Sequence, residues 1–508
     1  MKFSRSSKGA KGKLQVNYKN HIGGKWVKTA HTFESHNPAT GEKLGELFEA
    51  KKREVRQATK AARSAFQSWR LVPAPKRADL LYRFAQLLEQ RKADLARTLT
   101  LEMGKVIAEA AGDVQEAIDI AYYMAGEGRR SFGSTVPSEL PNKFAMSVRQ
   151  PVGVCGLITP WNFPIAIPAW KSMPALVLGN TVVWKPSQYT SITAVKLVEV
   201  FEEAGFPAGV VNLLLGTGAN VGHAMVNDPE IDLISFTGSN AVGTKLASDA
   251  AALGKRVSLE MGGKNAVLVM EDADLDLAVD GILWAAFGTT GQRCTAASRV
   301  LAHRKIKADL AARMAARARK MKLGPGMDSK TDVGPLINAH QLARVEEYVQ
   351  IGRKEGAHLL CGGHRATQGA LAKGYFFEPT LFDRVRPEMR IAQEEIFGPV
   401  VSILTVKDLD EAVQINNSVP FGLSASIFTR DVNRAFAAMR DLHTGIVYVN
   451  AGTTGAEVQL PFGGTKGTGN GHREAGQAAL DTFSEWKSLY VDYSGKIQRA
   501  QIDNHEDL

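Results

Sequence analysis

A chain of 508 residues is too long for one compact core, so two or three domains are expected. With 44% hydrophobic and 22% charged residues it has the composition of an ordinary soluble protein, and no apolar run reaches the length of a membrane span. The net charge of +10 invites a nucleic-acid partner, but Lys2, Arg5, Lys8, Lys11 and Lys13 supply half of it within the first 13 residues, and no basic stripe with interleaved aromatics follows.

Residues 1–16 read as a disordered basic tail, with a cleaved organelle presequence as the alternative. There is no apolar signal core, so secretion is not expected. Cys155, Cys294 and Cys361 lack metal-ligand spacing and leave an odd thiol under any pairing. We therefore expect a reducing cytoplasm, no metal site, and neither nucleic acid nor membrane as partner.

From residue 17 to 50, alternation broken at Gly23-Gly24 and Thr40-Gly41 predicts short strands. Residues 52–130 carry helical periodicity: Val55, Ala58, Ala62 and Phe66 share one face, and Leu80, Phe84 and Leu88 another. Apolar runs at 152–158, 181–184, 210–215, 233–236 and 256–260 predict buried strands, separated by helical stretches such as 194–204. Strand, turn, helix, strand implies a parallel sheet covered by helices. The same grammar resumes after Cys294, with strands expected at 299–303, 400–405, 424–428 and 445–450 and helices at 307–319, 341–355 and 408–417. A last strand at 484–493 has no hairpin partner and is expected to pair elsewhere, on another subunit for instance.

Three residues suggest chemistry. Cys294 lies on the flexible-looking turn Gly291-Gln292-Arg293-Cys294-Thr295; Arg293 and the free amides of that turn would favour a nucleophilic thiolate, against the alternative of a core thiol. Glu260 ends an apolar strand before Gly262-Gly263, where burial would raise its pKa and make it a general base. Asn162, pinned between Pro160-Trp161 and Phe163-Pro164, offers a preoriented amide for an oxyanion, or merely stabilises a turn. Two glycine-bearing turns, Gly216-Thr217-Gly218 and Thr237-Gly238-Ser239, can present helix N-terminal amides to a phosphate, although neither matches G-x-G-x-x-G. Lys185-Pro186 adds a cation at the same sheet edge.

Taken together, Pro160-Trp161-Asn162-Phe163-Pro164, Trp184-Lys185-Pro186-Ser187, Phe236-Thr237-Gly238-Ser239, Glu260-Met261-Gly262-Gly263-Lys264, Gly291-Gln292-Arg293-Cys294, Glu395-Ile396-Phe397-Gly398-Pro399 and Pro461-Phe462-Gly463-Gly464 resemble the aldehyde dehydrogenase superfamily over residues 17–494. The resemblance implies an α/β fold of two parallel-sheet domains and a small β oligomerisation arm. It divides the chain into a dinucleotide-binding domain at 17–128 and 152–260, a catalytic domain at 261–481, and an arm from 129–151 and 482–508. It implies that Cys294 attacks an aldehyde, that Asn162 and the Cys294 amide hold the oxyanion, and that Glu260 activates the water that hydrolyses the thioester. NAD would bind against Thr159, Pro160, Trp161, Lys185, Ser187, Gln188, Gly218, Gly238, Ser239, Glu395 and Phe397. Gln188 stands where many NAD-preferring members carry a glutamate that repels a 2′-phosphate, which leaves NADP open. A homodimer or homotetramer is implied.

Within the superfamily the chain looks closest to the α-aminoadipic semialdehyde dehydrogenase (antiquitin-like) branch, on Gly455-Ala456-Glu457-Val458, Arg293-Cys294-Thr295 and Asp492-Tyr493-Ser494. That likeness implies a semialdehyde substrate met by Glu116, Arg293, Thr295, Gly455, Ala456 and Phe462. Glu109, Asp113 and Glu116 also recur at the spacing of a solvated acidic helix face. Two competing readings remain: a CoA-acylating dehydrogenase, disfavoured by Glu260, and a non-catalytic binding protein on the same fold.

Overall fold

The structure, a computed structural model, describes residues 17–131 and 133–502. The expected basic tail at 1–16 lies outside the described residues, as does the end of the expected arm at 503–508.

Two seven-stranded sheets organise the molecule. The first runs, in spatial order, Arg256–Glu260, Leu233–Thr237, Val154–Ile158, Thr181–Lys185, Val211–Leu213, Asn20–Ile22 and Lys25–Val27. Its first five strands are parallel and the last two turn back antiparallel. The parallel strands are almost wholly buried, which is why they read as continuous apolar runs rather than alternating ones. Helices Lys52–Trp69, Ala74–Met103, Ile107–Glu127, Ala166–Leu178, Ser191–Ala204 and Asn240–Ala251 belong to this half. In the first of them Val55, Ala58 and Ala62 form the buried stripe that the periodicity predicts.

The second sheet runs His358–Cys361, Thr380–Asp383, Val400–Val406, Ala297–His303, Asn265–Val269, Ser424–Phe428 and Ile446–Val449, parallel except for its first pair. Its strand Asn265–Val269 is buried throughout and begins five residues after Glu260 closes the first sheet. The link between them is Met261-Gly262-Gly263-Lys264, and both glycines are needed. A Cβ on Gly262 would come within 2.3 Å of the Glu395 carboxylate, and one on Gly263 within 2.9 Å of the Cys294 carbonyl oxygen.

A third sheet joins Ser134–Pro137, Lys143–Pro151 and Ser484–Asp492. The last strand does pair far from its neighbours in sequence, as expected, but within the same chain: it runs antiparallel to Lys143–Pro151 from Ser484↔Pro151 to Asp492↔Lys143. Trp486 and Tyr490 on one face and Val491 on the other are all exposed. A small sheet of Asn17–Tyr18, Lys43–Glu49 and His31–His36 and a two-stranded one of Phe421–Gly422 and Thr465–Lys466 complete the sheets among the described residues. Among the described residues no helix is long and apolar enough to cross a membrane.

Candidate active site

Three neighbouring parallel strands end side by side, at Ile158, Thr237 and Glu260. Crevices for ligands open at such carboxyl ends. The residues that follow, Pro160-Trp161-Asn162, Gly238-Ser239 and Met261-Gly262, form one wall of a cleft of about 600 Å³. The second half supplies the other wall: Gln341, Arg344, Tyr348, Glu395 and Phe397. Trp161 and Phe397 meet edge-on with ring centroids 5.5 Å apart. Phe397 sits at a left-handed φ of 61°, held by Gln341 Nε2, which donates to its carbonyl at 2.8 Å. The Glu395 carboxylate accepts the Gly263 N–H at 3.1 Å, and burial raises its pKa.

Cys294 lies at the floor of this cleft and also lines a second cavity of about 380 Å³. Glu260, Glu116, Arg293, Thr295, Gly455, Ala456 and Phe462 line that second cavity, together with Phe163, Trp170 and Trp284. Sulfur, acid and amide are thus gathered where two cavities meet. Of the cofactor residues expected from sequence, Pro160, Trp161, Gly238, Ser239, Glu395 and Phe397 line the cleft. Thr159, Lys185, Ser187, Gln188 and Gly218 lie beyond it, along the same sheet edge. Thr159 Oγ1 accepts the Trp184 indole N–H at 2.9 Å, and Ser187 caps the short turn Gln188–Thr190. Lys185 is buried rather than solvated; its ammonium donates to the Pro186 carbonyl, and burial lowers its pKa to about 8. Gly218 opens the turn Gly218–Gly222, and the shaft of Lys185 passes 3.9 Å from where a Cβ on Gly222 would stand.

The nucleophile loop is not flexible. Its residues Thr289, Thr290 and Gly291 are successively left-handed, at φ of 52°, 58° and 70°. For threonine that conformation costs about 1–3 kcal/mol per residue and persists only where surroundings enforce it. Gln292 is wholly buried; its side chain donates to the Thr289 carbonyl at 3.2 Å and accepts the Ile337 N–H at 3.0 Å. The Asn265 amide donates to the carbonyls of Cys294, at 2.7 Å, and Ala296, at 3.0 Å. Asn162 Nδ2 donates to the Gln292 carbonyl at 3.1 Å, which fixes its direction and leaves its second proton for the site.

The electrostatics also depart from the sequence expectation. Arg293 does not make a thiolate of Cys294: burial and the nearby Glu260 and Glu395 carboxyls push the thiol up to about 12. The Arg293 charge is engaged by Glu109, at 3.1 Å, and lies over the ring of Trp284 at 5.0 Å. Glu260 is buried and neither carboxyl oxygen has a hydrogen-bond partner among the described residues. Desolvation, reinforced by Glu474, raises its pKa well above the carboxylate range. Glu474 is itself paired with the buried Lys171, which also donates to Ser235 Oγ at 2.9 Å.

Glu109, Asp113 and Glu116 are not a solvated face either. The side chain of Asp113 is fully buried against Lys105, at 3.0 Å, and that of Glu109 is only 5% exposed. Glu116 looks into the cavity without a hydrogen-bond partner among the described residues, and burial raises its pKa to about 8. Sequence reasoning missed Glu109, Lys171, Glu474 and the aromatic wall of Phe163, Trp170 and Trp284. Lys171 alone carried a signal, as the one charge in the helix Ala166–Leu178.

Comparison with known proteins agrees with this geometry. The family model of the aldehyde dehydrogenase family matches residues 26–489. The α-ketoglutaric semialdehyde dehydrogenase of Bacillus subtilis (strain 168) is 41% identical over 94% of this chain and 98% of its own. The α-ketoglutarate semialdehyde dehydrogenase of Haloferax volcanii is 42% identical over 94% and 99%. Among solved structures, the NAD+ complex of an aldehyde dehydrogenase from Bacillus cereus superposes with a TM-score of 0.92 at 38% identity, covering 94% of this chain and 97% of that one. A family match over most of the length and a half-buried thiol sharing a cavity with an unpartnered acid lead to one conclusion: the chain belongs to the aldehyde dehydrogenase family.

Proposed function

We propose that this enzyme uses NAD+ to oxidise a semialdehyde whose far end carries a carboxylate. The observation that carries the reading is the cavity that holds Cys294 and Glu260 together with Arg293 and Glu116. Nε and Nη2 of Arg293 are taken by Thr289 and Glu109, while Nη1 has no hydrogen-bond partner among the described residues. With its pKa near 8, Glu116 carries a proton at neutral pH and donates as well. A guanidinium and a carboxylic acid suit an anionic group. The α-ketoglutarate semialdehyde named for two relatives has that chemistry. α-Aminoadipic semialdehyde is the second reading, favoured by a carboxyl able, once ionised, to meet an ammonium.

NAD+ as oxidant is supported by the cleft of about 600 Å³ adjoining Cys294, whose Glu395 carboxyl and Ser239 N-cap suit ribose and phosphate. Gln188 brings no charge against a 2′-phosphate, so NADP+ stays within the proposal. When bound, the nicotinamide accepts the hydride. The chain's own groups do the rest. The Cys294 thiol passes its proton to water, which carries it to solvent, as its sulfur bonds the aldehyde carbon. Asn162 Nδ2 and the Cys294 N–H hold the resulting oxyanion. After hydride loss the acyl group is a thioester on Cys294, and ionised Glu260 takes a proton from the attacking water. The carboxylic acid leaves and the thiol is restored.

The test is a substrate panel run with NAD+ and NADP+ separately: α-ketoglutarate, succinic and α-aminoadipic semialdehydes against propanal, with Cys294→Ala as the zero-turnover control. We expect kcat/KM for the acidic semialdehydes to exceed that for propanal by about tenfold or more. Equal or better use of propanal would remove the carboxylate-reading role.

The same reading includes three domains: nucleotide-binding at 17–128 and 152–260, catalytic at 261–481, and an arm from 129–151 and 482–508. The segments of the three sheets support these bounds. The exposed Val136, Phe144, Trp486, Tyr490 and Val491 of the arm support self-association as a dimer or tetramer. Sedimentation at micromolar concentration is expected to give such a species, and a monomer there would exclude it. Three unbridged cysteines fit the cytoplasm.

A further inference from the structure

We propose that Glu109 is a positioning residue for the nucleophile, fixing with one carboxylate both the left-handed turn that carries Cys294 and the Arg293 guanidinium beside it. Glu109 stands in the first turn of the helix Ile107–Glu127, whereas the turn follows the helix Leu275–Phe287 of the other half. Both its oxygens accept the Thr289 N–H, each at 2.9 Å, and one also accepts the Thr289 hydroxyl at 3.2 Å. The other takes Arg293 Nη2 at 3.1 Å, and Arg293 Nε closes the ring onto Thr289 Oγ1 at 3.0 Å.

The turn needs such an anchor. Thr289 and Thr290 occupy a region that β-branched residues avoid. Thr290 has a separate tether, its hydroxyl donating to the Gly334 carbonyl at 3.0 Å, whereas the Thr289 N–H is held by the Glu109 carboxylate at 2.9 Å. The close fit leaves no slack, since a Cβ on Gly288 would stand 3.0 Å from Glu109 Oε1 and 3.1 Å from Arg293 Nη2. Removing the carboxylate frees the turn to relax toward ordinary φ, and everything downstream, the sulfur included, moves with it. For Arg293 the inference rests on the substrate reading above; for Cys294 it does not.

The experiment compares Glu109→Ala, Glu109→Gln, Thr289→Gly and the double variant Glu109→Ala/Thr289→Gly. Alkylation by iodoacetamide reads the nucleophile without turnover, because Cys155 and Cys361 are buried. Kinetics with propanal and with succinic semialdehyde, kcat and KM separately, read the rest. We expect Glu109→Ala to slow alkylation and lower kcat for both aldehydes about tenfold or more. Thr289→Gly is expected to return most of that loss, because glycine holds a positive φ unaided. Glu109→Gln, whose amide oxygen still accepts the Thr289 N–H, is expected to recover the alkylation rate while KM for succinic semialdehyde stays raised relative to propanal. Wild-type alkylation by Glu109→Ala, or a loss that Thr289→Gly leaves untouched, would overturn the proposal. Should Glu109→Ala not fold, Glu109→Gln decides: an unchanged ratio of the two KM values overturns the Arg293 part. A wild-type protein inactive on every aldehyde would end the substrate reading, and alkylation would still decide on Glu109.

Discussion

Two carboxyls line the cavity that Cys294 also lines, and their surroundings differ in kind. Glu260 has both oxygens buried with no hydrogen-bond partner among the described residues. Glu109 has every near donor engaged: a backbone N–H, a hydroxyl and a guanidinium. Burial without partners disfavours the charged form of an acid, whereas a carboxyl tied to several donors is fixed in place and sets geometry. The wall around Glu260 is therefore suited to proton transfer and the wall around Glu109 to placement. An unsatisfied group in a folded chain is costly, and its retention points to use.

Glu260→Gln should break this contrast most severely. The amide fills the same space but cannot take a proton from water. We expect steady-state kcat to fall by about 100-fold or more, with the first-turnover burst of NADH largely kept. Rapid-mixing absorbance at the NADH band checks both, and an unchanged steady rate would place the base elsewhere. A milder probe is pH. Glu260 and the Cys294 thiol are both raised by burial, the thiol to about 12, so the active form of each gains as pH rises. We expect kcat/KM to climb across the neutral-to-alkaline range by at most about tenfold per pH unit. A profile that falls over that range would mean that the thiol is already ionised at rest.

Much of the architecture was legible as pattern. Runs such as Val154–Ile158 and Leu233–Thr237 announced themselves because parallel strands are buried on both faces. The strand Asn265–Val269 did not, since it follows Glu260 across a four-residue link and reads as one more apolar stretch of the same segment. Cys294, Glu260 and Asn162 stood out because each is a reactive type in a constrained local setting. Glu109 did not. Helical spacing tells which residues share a face and is silent on what that face packs against, so an acidic stripe buried beside a second domain looks like one in water. The thiol misled for the same reason. An adjacent arginine reads as an activator until a partner across the fold is seen to take up its charge.

The arm has a consequence for how the molecule is made. Its ladder joins Lys143–Pro151 to Ser484–Asp492, and Arg149 reaches Asp481 across a sequence separation of 332 residues. Such a long-range pairing forms late, because it must await both segments and the closure of everything between them. During synthesis both catalytic walls can be in place before the final strand leaves the ribosome. Completion of this ladder thus marks a chain whose two halves have already had the chance to fold.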